Sequence, residues 1–328
     1  MSPPRRNVLR CSTVELSAVP AAVLVLVVLL LAMPGFAAPI DPRSLSDLPD
    51  DPVAELCARI GGKLGSVTRQ ECLERTLKPS GGLSVKGAPI LQAEYPPLPS
   101  REPLGRILLL GGIHGDEYSS VSVVFKWLKK LDRNHSGLFH WRVVPLLNPD
   151  GLLRAKSQRM NENGVDLNRN FPSHNWHEEA EDYWVRRTSK NPRRYPGTAP
   201  LSEPESKWLY DEIDRFRPTV IVSVHAPSHV VDYDGPKDPP KRLGPLYLNL
   251  MGTYPGSLGR FAGVLMGLPV VTIELPSAGI MPSSAEQTRI WNDLVRYLRT
   301  TAPDLPRIWA EVADSSGDRN ASPSAGTP

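Results

Sequence analysis

This chain of 328 residues has little net charge and no internal repeats. Its formal net charge is only +3, and no basic block carries interleaved aromatic residues, so nucleic acid is not an expected partner. The absence of a repeating unit argues against a repeat architecture. Hydrophobic residues make up 40% of the chain, which is enough for a substantial core, and the length suits one large domain with appendages or two small ones.

Cysteine is scarce as well, with three residues in the whole chain. Cys11 falls in an N-terminal targeting segment, which leaves Cys57 and Cys72 as a pair. An even number of cysteines in an exported protein predicts a disulfide between them. Two buried free thiols are the alternative.

The N-terminal targeting segment is built around an apolar run at residues 19–33. Arginines precede the run, and small residues around Ala38 follow it. This arrangement is typical of a signal peptide, so we expect residues 1–38 to direct export and to be removed. Because the run is close to the length that spans a membrane, an uncleaved anchor is the alternative. The expected location is periplasmic or secreted, with membrane attachment only if the signal is not cleaved.

The rest of the chain divides by composition into three parts. Residues 39–83 are expected to form a small N-terminal extension that carries the cysteine pair. Residues 84–312 are expected to form the main domain. The polar residues 313–328 are expected to be a disordered tail.

Apolar strands and amphipathic helices alternate through the main domain. This alternation predicts an α/β fold, a single domain with a mixed, mostly parallel β-sheet and helices on both faces. Ser202 is expected to be an N-cap, with Glu205 as its partner in a capping box. We predict strands at 106–111, 141–147, 219–224 and 270–273, and helices at 119–131, 202–216 and 284–300.

Three of the predicted strands lead directly to ionisable side chains. The first leads through two glycines to His114 and Glu117, the third to His225 and the last to Glu274. Open α/β sheets bind ligands at the carboxyl ends of their strands, so we expect these side chains to converge. Two histidines and one glutamate form a ligand set that leaves an open zinc position, the pattern of a catalytic site. Glu274 adds a carboxylate suited to be a general base.

A polar segment at 159–172 contains Arg159, Arg169 and several asparagines. So many side-chain donors suit the recognition of a carboxylate and the stabilisation of an oxyanion. A solvated loop rich in asparagine is the alternative.

A series of motifs runs in a single order through roughly residues 84–300. With them the chain resembles the zinc carboxypeptidase family of metallopeptidases and, within it, the bacterial murein peptide amidase A branch. The motifs are His114-Gly-Asp-Glu117, Asn148-Pro-Asp-Gly151, Arg159 with Gly164-Val-Asp-Leu-Asn-Arg-Asn-Phe-Pro172, Asn175-Trp176, Tyr195-Pro-Gly197, Ser202-Glu-Pro-Glu205, His225-Ala-Pro227, Pro255-Gly-Ser-Leu-Gly259 and Thr272-Ile-Glu-Leu-Pro276.

The resemblance implies a zinc carboxypeptidase-like domain with one Zn2+ per chain. It implies that His114, Glu117 and His225 bind the metal, and that Glu274 acts as general base and then as general acid. The expected protein is therefore a zinc metallopeptidase or amidase, a hydrolase.

The same resemblance implies how the substrate is held. Arg159 would hold the scissile carbonyl and its oxyanion, and Asn168 with Arg169 would hold a free carboxylate of the substrate. A flexible tyrosine also contacts substrate in digestive members of the family, and Tyr247 and Tyr254 both lie in the comparable region. For an exported member of the amidase branch, the expected substrate is a murein peptide, cut at the γ-D-glutamyl–meso-diaminopimelate amide.

Other functions remain open from the sequence. One is a zinc deacylase of the succinylglutamate desuccinylase or aspartoacylase type, against which the export signal argues. Others are a general metallocarboxypeptidase that acts on small peptides and a non-catalytic protein that binds wall peptides. The oligomeric state and the role of the extension also remain open.

Overall fold

The computed structural model describes residues 51–236, 238–304 and 309. The expected signal peptide at 1–38 and the expected tail at 313–328 lie outside these residues. In the described ranges, no helix combines the length and the apolar character that crossing a membrane requires.

Helices and strands alternate along the described residues. The predicted strands and helices of the main domain are confirmed, and their ends differ from the predicted ends by no more than three residues. Short 3-10 helices lie at Leu167–Arg169, Pro192–Arg194 and Ala302–Asp304, and π-helices at Tyr183–Arg187 and Gly259–Leu265. The order is α1 (Pro52–Lys63), α2 (Arg69–Leu73), β1 (Lys78–Leu83), β2 (Pro89–Tyr95), β3 (Arg106–Leu110), α3 (Tyr118–Asn134), β4 (His140–Val144), α4 (Pro149–Leu153), α5 (Trp176–Asp182), α6 (Pro204–Phe216), β5 (Val220–His225), β6 (Val230–Asp234), β7 (Arg242–Leu243), β8 (Leu246–Leu248), β9 (Val270–Glu274) and α7 (Ser284–Thr301).

The described strands form one nine-stranded sheet in the order β1-β2-β4-β3-β5-β9-β6-β8-β7. The four central strands, β4, β3, β5 and β9, are parallel to one another. Antiparallel strands flank them, with β2 against β4 and β6 against β9. Every residue of β5 is buried, as expected for a parallel strand covered on both faces. The predicted mixed sheet is confirmed, with its parallel strands at the centre.

Helices cover both faces of the sheet. On one face Leu109 of β3 belongs to the same core cluster as Trp127 of α3 and residues of α1 and α7. On the other face Leu108 packs in a second cluster with Phe216 of α6. Because neighbouring side chains of a strand point to opposite faces, the apolar run of β3 contributes to both cores.

The start of α6 differs from the prediction. Glu203, not Ser202, is the N-cap, so the predicted capping box is wrong. Instead the Glu205 carboxylate accepts hydrogen bonds from the Asn161 side chain at 3.1 Å and the Val85 backbone N–H at 3.2 Å. Buried donors without a partner cost free energy, so these tertiary hydrogen bonds take precedence over the local cap.

The predicted disulfide of the N-terminal extension is confirmed, since Cys57 of α1 and Cys72 of α2 are bonded. The extension also contacts the loop that precedes the polar segment of the main domain. Lys63 donates to the backbone carbonyls of Arg154 at 2.7 Å and Ala155 at 3.0 Å. Strand β1, at the end of the extension, pairs with β2 in the same sheet.

Candidate active site

The ionisable side chains that follow the strands do meet at one edge of the sheet. In the register of the parallel strands β5 and β9, His225 lies directly beside Glu274. Strand β3 runs parallel to β5 on its other side, and the loop from β3 to α3 carries His114 and Glu117. Adjacent parallel strands therefore position all four side chains, as the sequence predicts.

His114, Glu117 and His225 are buried and form the one group among the described residues that could hold a metal ion. The two histidine Nδ1 atoms are 3.2 Å apart. Glu117 places one carboxylate oxygen 2.8 Å from Nδ1 of His114 and the other 3.2 Å from Nδ1 of His225. Tetrahedral zinc with bonds of about 2.0–2.1 Å separates its ligand atoms by roughly 3.3 Å, so this set fits zinc.

The second nitrogen of each histidine ring has a partner of its own. Nε2 of His114 lies 3.2 Å from the Asp166 carboxylate, and Nε2 of His225 lies 3.0 Å from the Ser223 hydroxyl. A proton held on Nε2 leaves the Nδ1 lone pair free for a metal, which is the usual arrangement around zinc-binding histidines. Burial alone would raise the pKa of Glu117, but His114 and His225 lower it and keep the carboxylate ionised.

Asp166 is a site residue that the sequence analysis missed. It is fully buried and bridges His114 to Arg159, whose Nε donates to it at 2.9 Å. Burial alone would raise the pKa of Asp166, but the charges of Arg159 and His114 hold it well below its usual range. Its position in the motif that also contains Asn168 and Arg169 was the available signal.

Arg159 and Glu274 flank the ligand set. A terminal nitrogen of Arg159 lies 3.1 Å from Nδ1 of His114 and 3.5 Å from the Glu117 carboxylate. Glu274 is 9% exposed and accepts a hydrogen bond from the Ser228 backbone N–H at 3.2 Å. Both side chains line the same cavity as the ligand set. They are therefore placed to act on a group bound there.

Asn168 and Arg169 also line this cavity, whose volume is about 280 Å3. The backbone N–H of Leu258 donates to Asn168 Oδ1 at 2.8 Å, which leaves the amide nitrogen as a donor for a ligand. Arg169 is 5% exposed, and its Nε has no hydrogen-bond partner among the described residues. Burial lowers the pKa of Arg169 to about 10, so the side chain is still a cation at neutral pH. A buried cation with a free donor suits a substrate carboxylate.

Only one of the two candidate tyrosines lies at the cavity. Tyr254 lines it, and the Arg169 guanidinium stacks on the Tyr254 ring at 4.5 Å. Tyr247 is 62% exposed and stacks on Arg242. A glycine is needed at Gly256, where φ is +74° and a Cβ atom would lie 1.9 Å from the Arg169 carbonyl oxygen. This close approach holds the Tyr254 segment against Arg169.

Two aspartates of β6 also line the cavity, and the sequence analysis missed both. Asp232 accepts hydrogen bonds from the backbone N–H groups of Tyr233 at 2.9 Å and Met251 at 3.0 Å. Burial, and then the charge of Asp232, raise the pKa of Asp234 to about 7. The available signal was their spacing of two residues in a strand just after His225, which places both on one face.

The ligand set predicts one zinc ion per chain. Wild-type protein should bind about one equivalent, and the double variant His114→Ala, His225→Ala should bind none at the same zinc concentration, because one carboxylate cannot hold the ion alone. Elemental analysis after desalting measures this. The exposed pair His174→Ala, His177→Ala is the matched control and should keep the metal. Full occupancy in the first double variant would show the assignment to be wrong.

Comparison with known proteins agrees with this geometry. Residues 68–264 match the sequence model of the Peptidase_M14 family, the zinc carboxypeptidases. Murein peptide amidase A of Escherichia coli (strain K12) is 34% identical over 245 residues, which cover 71% of this chain and 96% of that protein. Murein peptide amidase A of Vibrio campbellii is 35% identical over 217 residues, which cover 64% of this chain and 81% of that protein.

A solved structure shows the same fold. Carboxypeptidase A from Helicoverpa armigera matches with a TM-score of 0.55 at 16% identity, over 76% of this chain and 72% of that one. The family match covers more than half of the chain, and the predicted metal, base and arginine side chains share one cavity. This chain therefore belongs to the zinc carboxypeptidase family and is a hydrolase.

Proposed function

We propose that this enzyme hydrolyses the γ-D-glutamyl–meso-diaminopimelate amide of murein peptides, and that it requires a free carboxylate beside the scissile amide. One observation carries the proposal. One cavity is lined by the candidate metal ligands, by Glu274 and by the buried Arg169, whose Nε has no hydrogen-bond partner among the described residues. Relatives named murein peptide amidase A support the substrate class.

Glu274 carries the proton transfers in this proposal. Zinc in the His114, Glu117 and His225 set would supply Lewis acidity, which acidifies water and polarises a carbonyl. Glu274 accepts the proton as water attacks the amide carbonyl, and it returns the proton to the leaving amine. The hydrogen bond from the Ser228 backbone N–H orients its carboxylate for both steps.

Arg159 stabilises the negative charge that develops on the carbonyl oxygen. Burial alone would lower the pKa of Arg159, but the charges of Asp166 and Glu117 raise it, so the side chain stays cationic. The hydrogen bond to Asp166 holds the guanidinium in place before the reaction starts. A donor that is already oriented in a buried site stabilises an oxyanion far better than a mobile one in water.

Asn168 and Arg169 decide which amide is cut. Together they offer an amide donor and a buried guanidinium to a carboxylate on the carbon that bears the leaving amine. Murein tripeptides have such a carboxylate on diaminopimelate. In a tetrapeptide the same carboxyl group is blocked by the next residue, so the tetrapeptide should be a poor substrate.

We propose an exported location for this activity, periplasmic or secreted, where murein peptides are found. The basic and apolar start of the sequence supports export, and the Cys57–Cys72 disulfide supports an oxidising compartment. If the signal is not cleaved, the enzyme would be attached to the membrane by residues 19–33.

The test is digestion of L-alanyl-γ-D-glutamyl-meso-diaminopimelate by purified, zinc-loaded protein. Mass spectrometry should detect free diaminopimelate and the alanyl-glutamate dipeptide, and chelator treatment should abolish both. The matching tetrapeptide is the control and should be cut at least tenfold more slowly, because blocking the carboxylate costs a charge-assisted hydrogen bond. Cleavage of ordinary C-terminal residues from unrelated peptides, with no diaminopimelate released, would favour a general carboxypeptidase instead.

A further inference from the structure

The two β6 aspartates lie in the substrate cavity but have no part in the mechanism above. We propose that Asp232 and Asp234 form an ammonium-binding subsite, which selects a leaving residue with a positively charged amino group at the end of its side chain. This inference rests on the proposed function and adds the group that selects the leaving residue.

Strand pairing positions the β6 aspartates relative to the base. Strand β6 runs antiparallel to β9, with Asp232 opposite Thr272 and Asp234 opposite Val270. Alternating residues share a face, so both aspartates lie on the same face as Glu274, and all of these residues line the cavity. Thr272 is two residues from Glu274, so Asp232 lies about 7 Å from the base along the strand direction and Asp234 about 14 Å.

Among the described residues, no basic side chain pairs with either β6 aspartate. The arginines Arg159, Arg193 and Arg260 form their ion pairs with Glu117, Asp116 and Glu179 instead. Asp232 accepts only backbone N–H groups, and Asp234 accepts no hydrogen bond from the described residues. Two acidic groups in a mostly buried site repel each other, and a cation between them would relieve the repulsion. The side of the cavity that they line is thus complementary to a cation.

Two glycines make room for Asp234. A Cβ atom at Gly259 would lie 1.9 Å from the Asp234 carboxylate oxygen, and one at Gly263 would lie 2.5 Å from its Cβ atom. A larger residue would displace the Asp234 carboxylate at the first position, and its Cβ and backbone at the second. The two glycines therefore leave the space that Asp234 occupies beside the cavity. A smaller apolar side chain would not need this space.

Arg169 supplies the second, independent observation. It is buried, lines the same cavity and has an Nε without a hydrogen-bond partner among the described residues, so it suits an anionic group. A ligand that pairs with both Arg169 and the two aspartates carries a carboxylate next to the scissile amide and an ammonium at the end of its side chain. In a diamino acid such as diaminopimelate, four C–C bonds and one C–N bond separate the α-carbon from that nitrogen, roughly 6 Å when extended. This length matches the step from Glu274 to Asp232.

The test compares two amides of γ-D-glutamate that differ at one group. One contains meso-diaminopimelate, and the other contains L-2-aminopimelate, which keeps both carboxylates but lacks the distal amine. Wild-type enzyme should favour the first by roughly 10- to 150-fold in kcat/KM, the range expected for a charge-assisted hydrogen bond. In Asp234→Asn, and separately in Asp232→Asn, this ratio should fall toward one. The exposed Asp214→Asn is the matched control and should keep the wild-type ratio.

Several results would overturn the subsite. A wild-type enzyme that cuts both amides equally well would do so, and so would folded aspartate variants that keep the wild-type ratio. If neither amide is cut, the proposed function fails. Calorimetry with free meso-diaminopimelate and free 2-aminopimelate then tests whether the subsite binds an ammonium group. Equal affinity for the two amino acids would reject it, and tighter binding of diaminopimelate that is lost in Asp234→Asn would support it.

Discussion

Replacing Glu274 with glutamine should lower kcat by roughly 10²–10⁴-fold, the range typical of a positioned acid or base. Glutamine keeps the size of the side chain and can still accept the hydrogen bond from the Ser228 backbone N–H. It cannot accept the proton of the attacking water or return one to the leaving amine. Steady-state kinetics on the murein tripeptide measures the change.

The metal content of Glu274→Gln is the control for this experiment. Glu274 lies outside the group that could hold the metal, so the variant should bind as much zinc as wild type. Glu178→Gln, an exposed change of the same type, should leave both kcat and zinc unaltered. If Glu274→Gln keeps more than a tenth of the wild-type kcat with zinc bound, another group is the base.

Replacing Arg169 with alanine should mainly weaken substrate binding. A charge-assisted hydrogen bond contributes about 1.5–3 kcal/mol, which corresponds to roughly ten- to 150-fold in affinity. Some loss of kcat is expected too, because part of the binding energy orients the amide. The decisive measurement uses a tripeptide in which the carboxylate next to the scissile amide is itself amidated. Wild-type enzyme should discriminate strongly against it, and Arg169→Ala should discriminate little.

Two observations separate a lost contact from a damaged fold in Arg169→Ala. The thermal unfolding midpoint shows whether the buried position tolerates the change. The exposed Arg186→Ala serves as the matched control and should discriminate as wild type does. If Arg169→Ala and wild type show the same preference, Arg169 does not bind that carboxylate, and the proposed orientation of the substrate is reversed or wrong.

The sequence alone was sufficient to place the four main groups of the site. His114, Glu117, His225 and Glu274 each follow an apolar run long enough for a buried strand. Parallel strands with helices on both faces bring their carboxyl ends to one edge, so local pattern and simple topology already predict convergence. The motif order added the family, and with it the roles proposed for Arg159, Asn168 and Arg169.

Only the tertiary structure decided which groups assist these residues. Asp166 contacts His114 across 52 positions of the chain, and Ser223 contacts His225 in the same strand. Nothing in a local pattern ranks one buried acid or hydroxyl above another as a partner. The tertiary structure also decided between the two candidate tyrosines, because Arg169 stacks on the Tyr254 ring.

The face that strand β6 turns toward the cavity was likewise decided by tertiary structure, through its antiparallel pairing with β9. Its two aspartates alternate with apolar residues, so the sequence shows that they share a face but not which face the cavity occupies. Pairing of β6 with β9 settles this, because the register aligns Asp232 with Thr272 below Glu274. The sequence pattern determines which residues of a strand share a face. The neighbouring strands and helices determine what each face packs against.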